Sequence, residues 1–294
     1  MNKLFVLAFD HRSSFLKLLG ISNSSPKAQK AVASEAKEII FEGFRAALQA
    51  QKVERQSAAI LVDEEFGVKV IEEAKGEGYA FAVPVETSGK KVFEFEYGKD
   101  FGEHIDRVKP TFVKALVRYN PEGDEELNLR QAEKLASLSE FCTDADYEWM
   151  LEVLIEPTEE QLKKASEEAV DFDKVTRPKL QISMIKELQA ANANPDIWKI
   201  EGAEEPYQYE EIVKQARASG NEKVRVIILG RGEDVDRVER WLVAGKEVDG
   251  VAGFAIGRTI FAEPLKHWRE EKISRVQAVS EIGENYAKFV KIME

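Results

Sequence analysis

Two lysines stand in runs where an apolar strand would not ordinarily carry charge. In Phe112-Val113-Lys114-Ala115-Leu116-Val117-Arg118 and Ile197-Trp198-Lys199-Ile200-Glu201 most neighbours are β-branched or apolar. The two-residue period of a strand puts Phe112, Lys114, Leu116 and Arg118 on one face of the first run, and Ile197, Lys199 and Glu201 on one face of the second. If both lysines point into a core, desolvation and mutual repulsion lower their pKa values, and a neutral amine is the species that adds to a carbonyl carbon. The same residues are compatible with an interior ion pair to a glutamate, or with side chains snorkelling to a rim. The run between them, Leu151-Glu152-Val153-Leu154-Ile155-Glu156, supplies such a glutamate. Glu152 is placed either to move protons or to compensate lysine charge, and the two roles do not exclude each other.

Other apolar runs also end in polar residues. The first ends in Asp10-His11-Arg12, the second in Asp63-Glu64, and the third is followed by Val85-Glu86-Thr87-Ser88-Gly89. These residues suit substrate hydroxyls as well as ordinary loop surface. Leu229-Gly230-Arg231-Gly232 and Ile256-Gly257-Arg258-Thr259 read as an anion seat, because glycine exposes backbone N–H groups and arginine adds the counter-charge.

Of the three histidines only His11 ends a strand; His104 falls in a helical pattern and His267 near the C-terminal helices. A His-rich zinc site cannot be assembled from them, and the metal-dependent alternative is a Mg²⁺ held by Asp63, Glu64 and Glu201. The single cysteine, Cys142, lies at a helix end without a histidine partner and reads as structural.

The elements that must position these residues follow from periodicity. Strands are expected at Lys3–Phe9, Ala58–Val62, Tyr79–Val83, Phe112–Val117, Met150–Ile155, Ile197–Glu201, Val224–Leu229 and Val251–Ile256. Helices are expected at Pro26–Gln51, Phe66–Glu77, before Pro110, and at Glu125–Cys142, Glu159–Val170, Pro178–Ala193, Tyr207–Ser219, Glu233–Ala244 and Ile273–Met293. Eight strand–helix units in 294 residues average about 37 residues each, the repeat of a (β/α)₈ barrel. No linker or composition break divides the chain, so residues 1–294 are expected to form one α/β TIM-barrel domain. A doubly wound open sheet is disfavoured because neither GxGxxG nor GxxxxGK[ST] occurs.

With 42 Lys plus Arg against 54 Asp plus Glu, the net charge of -12 repels nucleic acid and anionic membranes, so neither is expected as a partner. An anionic substrate must then be attracted locally, by arginine and backbone N–H groups. The apolar run Leu4–Phe9 is shorter than a signal core and no longer apolar run suggests a membrane span; with the lone cysteine this points to the cytoplasm. Assembly into a homo-oligomer is compatible with the sequence.

Two stretches carry a family resemblance: Leu7-Ala8-Phe9-Asp10-His11-Arg12 and Gly253-Phe254-Ala255-Ile256-Gly257-Arg258-Thr259-Ile260-Phe261. The chain resembles the class I (Schiff-base) tagatose-1,6-bisphosphate and sulfofructose-phosphate aldolase group. It is still more similar to the aldolase-like domain fused C-terminally to 5-dehydro-2-deoxygluconokinase in bacterial inositol catabolism. The resemblance covers the whole chain and implies that Lys199, in a segment similar to the family's sixth strand, forms the Schiff base. It likewise matches the fourth-strand lysine to Lys114 and the fifth-strand glutamate to Glu152. The third-strand Glu-Thr-Gly neighbourhood matches Glu86-Thr87-Ser88-Gly89 with one residue inserted. His11 stands where the tagatose-type pattern usually has Gln, so the recognised end of the substrate differs. The kinase-linked resemblance implies cleavage of 2-deoxy-5-keto-gluconate 6-phosphate to dihydroxyacetone phosphate and malonate semialdehyde.

The expectation is therefore a cofactor-free, metal-independent aldolase acting on a phosphorylated ketose or keto-acid. Lys199 adds to the ketone, Glu152 moves the proton and Lys114 lowers the pKa of Lys199. Asp10, His11, Arg12, Asp63, Glu86, Arg118 and Glu201 contact substrate, and Gly230, Arg231, Gly232, Gly257 and Arg258 bind phosphate. The alternative is a non-catalytic sugar-phosphate binding or regulatory barrel that partners an inositol-pathway kinase.

Overall fold

In the computed structural model, which describes residues 2–218 and 220–294, eight parallel strands close into a barrel in chain order. They are β1 (Leu4–Phe9), β2 (Ala58–Val62), β3 (Ala80–Pro84), β4 (Phe112–Arg118), β5 (Glu148–Leu154), β6 (Ile197–Glu201), β7 (Arg225–Leu229) and β8 (Val251–Ile256). Every expected strand is present, its ends within two residues of the periodicity reading. The first helices are α1 (Ser13–Leu18), α2 (Pro26–Gln49), α3 (Glu64–Glu77), α4 (Phe101–Val108), α5 (Glu125–Asp144) and α6 (Glu159–Glu167). They are followed by α7 (Arg177–Ala190), α8 (Pro206–Ala216), α9 (Val235–Gly245), α10 (Arg258–Arg269) and α11 (Arg275–Met293). The expected end of the eighth of these at Ser219 lies outside the described residues.

Two helices, α1 and α10, lie outside the expected set, and α6 and α7 each end three residues before the expected Val170 and Ala193. The short α1 has too few turns to show a period. The pattern of α10 is interrupted by Pro264, which lacks the N–H that would bond the carbonyl of Ile260 four residues earlier. Asn285 of α11 fills that place, its Nδ2 donating to the Ile260 carbonyl at 2.9 Å. The helix therefore continues through a residue that normally ends one.

By packing, the chain falls into two units. One comprises Val85–Leu229 and Arg240–Ala252 and holds β4 to β7; the other comprises Asn2–Pro84, Gly230–Glu239 and Gly253–Glu294 and holds β1 to β3. In the first, register sets Leu116 beside Glu152 and Glu152 beside Lys199. The segment after β3 folds back on itself there: Thr87 N–H donates to the Glu94 carbonyl and Glu96 N–H to that of Val85, with Glu86 and Phe95 in antiparallel pairing. In the second, β1 pairs with β2 from Phe5↔Ala58 to Phe9↔Val62 and with β8 from Leu4↔Gly253 to Leu7↔Ile256. No helix of the described residues is long and apolar enough to cross a membrane.

Candidate active site

The register of β4, β5 and β6 brings Lys114, Glu152 and Lys199 together. Lys199 Nζ lies 2.8 Å and Lys114 Nζ 3.1 Å from the same atom, Glu152 Oε2. Lys114 also donates to Glu86 Oε1 at 2.6 Å. The result is a chain of alternating charge, Glu86–Lys114–Glu152–Lys199, in which Lys114 is 0% exposed, Lys199 3% and Glu152 8%. Direct lysine–lysine repulsion, expected from the sequence, is offset by the carboxylate oxygen that both ammonium groups share. Glu86 reaches Lys114 because the fold-back of Val85–Glu96 fixes its backbone against Phe95. Chemically, a lysine amine within hydrogen-bond reach of a carboxylate, with that carboxylate oriented by a third group, is a nucleophile–base arrangement.

The other strand-end polar residues of this unit are engaged differently. Glu201, two residues beyond Lys199, turns to the amide of Ile155 (2.9 Å) and to Arg177 Nε (3.2 Å) and is 1% exposed. That geometry commits its carboxylate to protein partners. Arg118 pairs with Glu156 at 2.6 Å, and both keep solvent-exposed surface. Behind them, Asn120 donates to the Glu156 carbonyl and to Gln161, which in turn donates to Glu122 at 2.7 Å. The segments following β4 and β5 are thus tied by amide hydrogen bonds. Cys142 is fully buried on α5, and burial pushes its thiol up to about 12, consistent with a packing role.

In the other unit, Asp63 is fully buried. One of its oxygens accepts from Phe66 N–H and caps α3; the other pairs with Lys37 of α2. Lys37 also donates to the carbonyls of Phe9 at 2.6 Å and His11 at 3.0 Å, and so holds the Asp10-His11-Arg12 turn from beneath. Burial pulls the Lys37 ammonium below the ordinary lysine range, against the opposite pull of Asp63. With Asp63 on Lys37 and Glu201 on Arg177, two of the three carboxylates expected for a Mg²⁺ site already serve buried cations. Among the described residues no three His, Cys, Asp or Glu side chains are grouped to hold a metal. Lys37 is legible in hindsight as a lysine on the apolar stripe of α2, among Ala33, Ala36 and Ile40. Arg177, at a helix start beside Pro178, gave no such signal.

The two glycine–arginine loops meet within this second unit. Arg258 Nη2 donates to the Arg231 carbonyl at 2.9 Å and lies over Gly232, where a methyl group would stand 2.4 Å from it. Arg231 and Gly232 both have positive φ, 52° and 78°. At Gly257 a methyl group would stand 2.0 Å from the Ala8 carbonyl oxygen, so only glycine lets α10 start this close to β1. Thr259 Oγ1 donates to the Glu233 carbonyl at 3.1 Å, a second tie between the loops.

Fold and site together define a (β/α)₈ barrel with a buried lysine–glutamate chain on adjacent strands. The chain belongs to the family described as an uncharacterized protein conserved in bacteria (DUF2090), whose model matches residues 1–294. No curated protein sequence matches it. Among solved structures it is similar to a Schiff-base-forming fructose-1,6-bisphosphate aldolase at 14% identity, over 100% of this chain and 95% of that one, with a TM-score of 0.58. It is also similar to an archaeal fructose-1,6-bisphosphate aldolase at 15% identity, over 98% and 94%, with a TM-score of 0.54. A third is an archaeal fructose-1,6-bisphosphate aldolase whose catalytic Lys is covalently bound to the carbinolamine intermediate of its substrate, at 13% identity, over 97% and 94%, with a TM-score of 0.58. At such identities the likeness establishes the barrel.

Proposed function

We propose that this protein is a metal-independent class I aldolase acting on a phosphorylated ketose or keto-acid. The observation that carries the reading is the 2.8 Å contact between Lys199 and Glu152, with Lys114 on the same carboxylate oxygen. Lys199 would pass a proton to Glu152 and attack the substrate ketone; loss of water from the carbinolamine leaves an iminium. Glu152, having returned its proton to the departing water, then accepts one from the hydroxyl being converted to an aldehyde. The C–C bond breaks, its electron pair enters the iminium as an enamine, and protonation and hydrolysis release the second product and free Lys199. Lys114, held by Glu86, would keep Glu152 in place and bind substrate oxygens. Arg118 and the Asp10-His11-Arg12 turn would contact the substrate's remaining polar groups. Phosphate would sit at Gly230, Arg231, Gly232, Gly257 and Arg258, where arginine and backbone N–H groups would favour an anion against the overall charge.

Support comes from the fold shared with Schiff-base-forming aldolases and from the resemblance carried by Leu7–Arg12 and Gly253–Phe261. The finer reading, from that resemblance alone, is 2-deoxy-5-keto-gluconate 6-phosphate cleaved to dihydroxyacetone phosphate and malonate semialdehyde in inositol catabolism. Borohydride reduction in the presence of a panel of ketose phosphates tests the class: inactivation with a single adduct on Lys199 is expected. An adduct on Lys114, or none in a preparation that releases aldehyde, overturns the assignment. Phosphate-ligand affinity without turnover would favour the binding-protein alternative.

A further inference from the structure

Pairing between β5 and β6 spans Met150↔Ile197, Leu151↔Trp198 and Glu152↔Lys199, and so reaches its upper end at the two reacting side chains. Beyond that level the strands are joined by a side chain. Glu201, the last residue of β6, accepts the amide proton of Ile155, three residues past Glu152, at 2.9 Å. The counter-charge of Glu201 is Arg177, the first residue of α7, at 3.2 Å and only 2% exposed. Arg177 is held in turn by Asp173, one turn earlier across the π turn Phe172–Thr176, and its guanidinium lies 5.3 Å from the Phe172 ring. Gln181, one turn further along α7, donates to the Glu201 backbone carbonyl at 3.0 Å.

A buried ion pair gains little stability over a well-packed apolar substitute, because desolvation of both charges offsets their attraction. Its consequence here is geometric. The carboxylate, hydrogen-bonded by the Ile155 amide, continues the β5–β6 clasp where the backbone ladder ends, and the arginine lies against the same oxygen as its counter-charge. We propose that Arg177 is a positioning residue for the Lys199–Glu152 pair, acting through Glu201. The kinetic part of its test rests on the aldolase reading, whereas the spectroscopic part does not.

Arg177→Met should slow imine trapping on Lys199 by about 10²-fold, the effect of misplacing reacting groups by about 1 Å, with KM changed only a few-fold. Arg177→Lys should lie between the two. Arg177→Met also strands Glu201 as a buried charge, so lowered stability alone would be uninformative. The double variant Arg177→Met/Glu201→Leu removes that charge, and its Tm should recover while trapping stays slow. Recovery of both would overturn the proposal by reducing the pair to a stability element. A ¹⁵N NMR titration of the Lys199 ammonium needs no substrate, and its midpoint should move in both the single and the double variant. An unchanged midpoint in the two also overturns the proposal. If the unaltered protein traps no imine with any ketose phosphate, the aldolase reading fails and the titration still decides the role of Arg177.

Discussion

Glu152 is the residue on which the site turns, because a single oxygen receives both lysines. Glu152→Gln keeps the shape but offers a weak acceptor that cannot carry a proton. In steady-state assays with a cleaved ketose phosphate, the substitution is expected to lower kcat by roughly 10²–10⁴-fold with KM little changed. A loss confined to KM would instead make Glu152 a binding residue. Arg258 is tested by a different parameter. Its side chain is exposed and its guanidinium donates to a backbone carbonyl within the glycine–arginine loops, a contact it can exchange for one to an anion. Arg258→Ala should raise KM and the inhibition constant of inorganic phosphate together, by roughly ten- to 150-fold, with partial rescue by Lys. If neither constant moves, phosphate does not sit on these loops.

At the level of elements, the strand-end residues are held by helices that reach under them. Lys37 of α2 grips the end of β1 and the cap of α3, and Arg177 of α7 grips the end of β6 through Glu201. In both cases a helix cation meets a carboxylate at the end of a strand, and the neighbouring strand-end residues inherit the fixed backbone. A different repair operates in α10, where Asn285 takes the carbonyl that Pro264 leaves open. Asn285→Leu should destabilise the protein by about 1–3 kcal/mol, the cost of an unsatisfied buried carbonyl, read as a lower urea midpoint. Adding Pro264→Ala to that variant restores an N–H donor and should recover most of the loss. Additive effects of the two changes would show that asparagine and proline are not coupled.

Across the whole molecule, burial sets how stability responds to alkali. Cys142 is pushed up to about 12, and burial raises Tyr209, Tyr286 and Tyr119 above the ordinary tyrosine value, Tyr119 also through its bond to Glu187. In the unfolded chain these groups lose protons near 9 and 10, while the folded chain retains them. The folded state therefore binds more protons above about pH 10, and stability falls as pH rises, by about 1.4 kcal/mol per pH unit for each such group. Lys37 acts in the opposite direction, since its folded value is lowered, and so offsets only one of the four groups just named. The urea midpoint is expected to drop clearly between pH 9.5 and about pH 11. A flat or rising midpoint would mean that these phenols ionise in the folded state.

The strand–helix alternation, with apolar runs bounded by polar residues, made all eight strands legible in the sequence. Lys114, Glu152 and Lys199 were visible for the same reason: charge in an apolar strand contradicts its local pattern. Their convergence was less legible, since a two-residue period states which residues share a face but not which strands are neighbours or at what height. Register decided that Glu152 lies between the lysines, while Glu201, on the same nominal face, swings to Arg177. Asp63 likewise looked available at a strand end until tertiary packing placed Lys37 of α2 against it. Helix α10 stayed hidden because the Asn285 donor that excuses Pro264 lies 25 positions from Ile260. Local pattern is set by each residue's own preference for water or core; long-range partners answer to packing, which no short window of sequence contains.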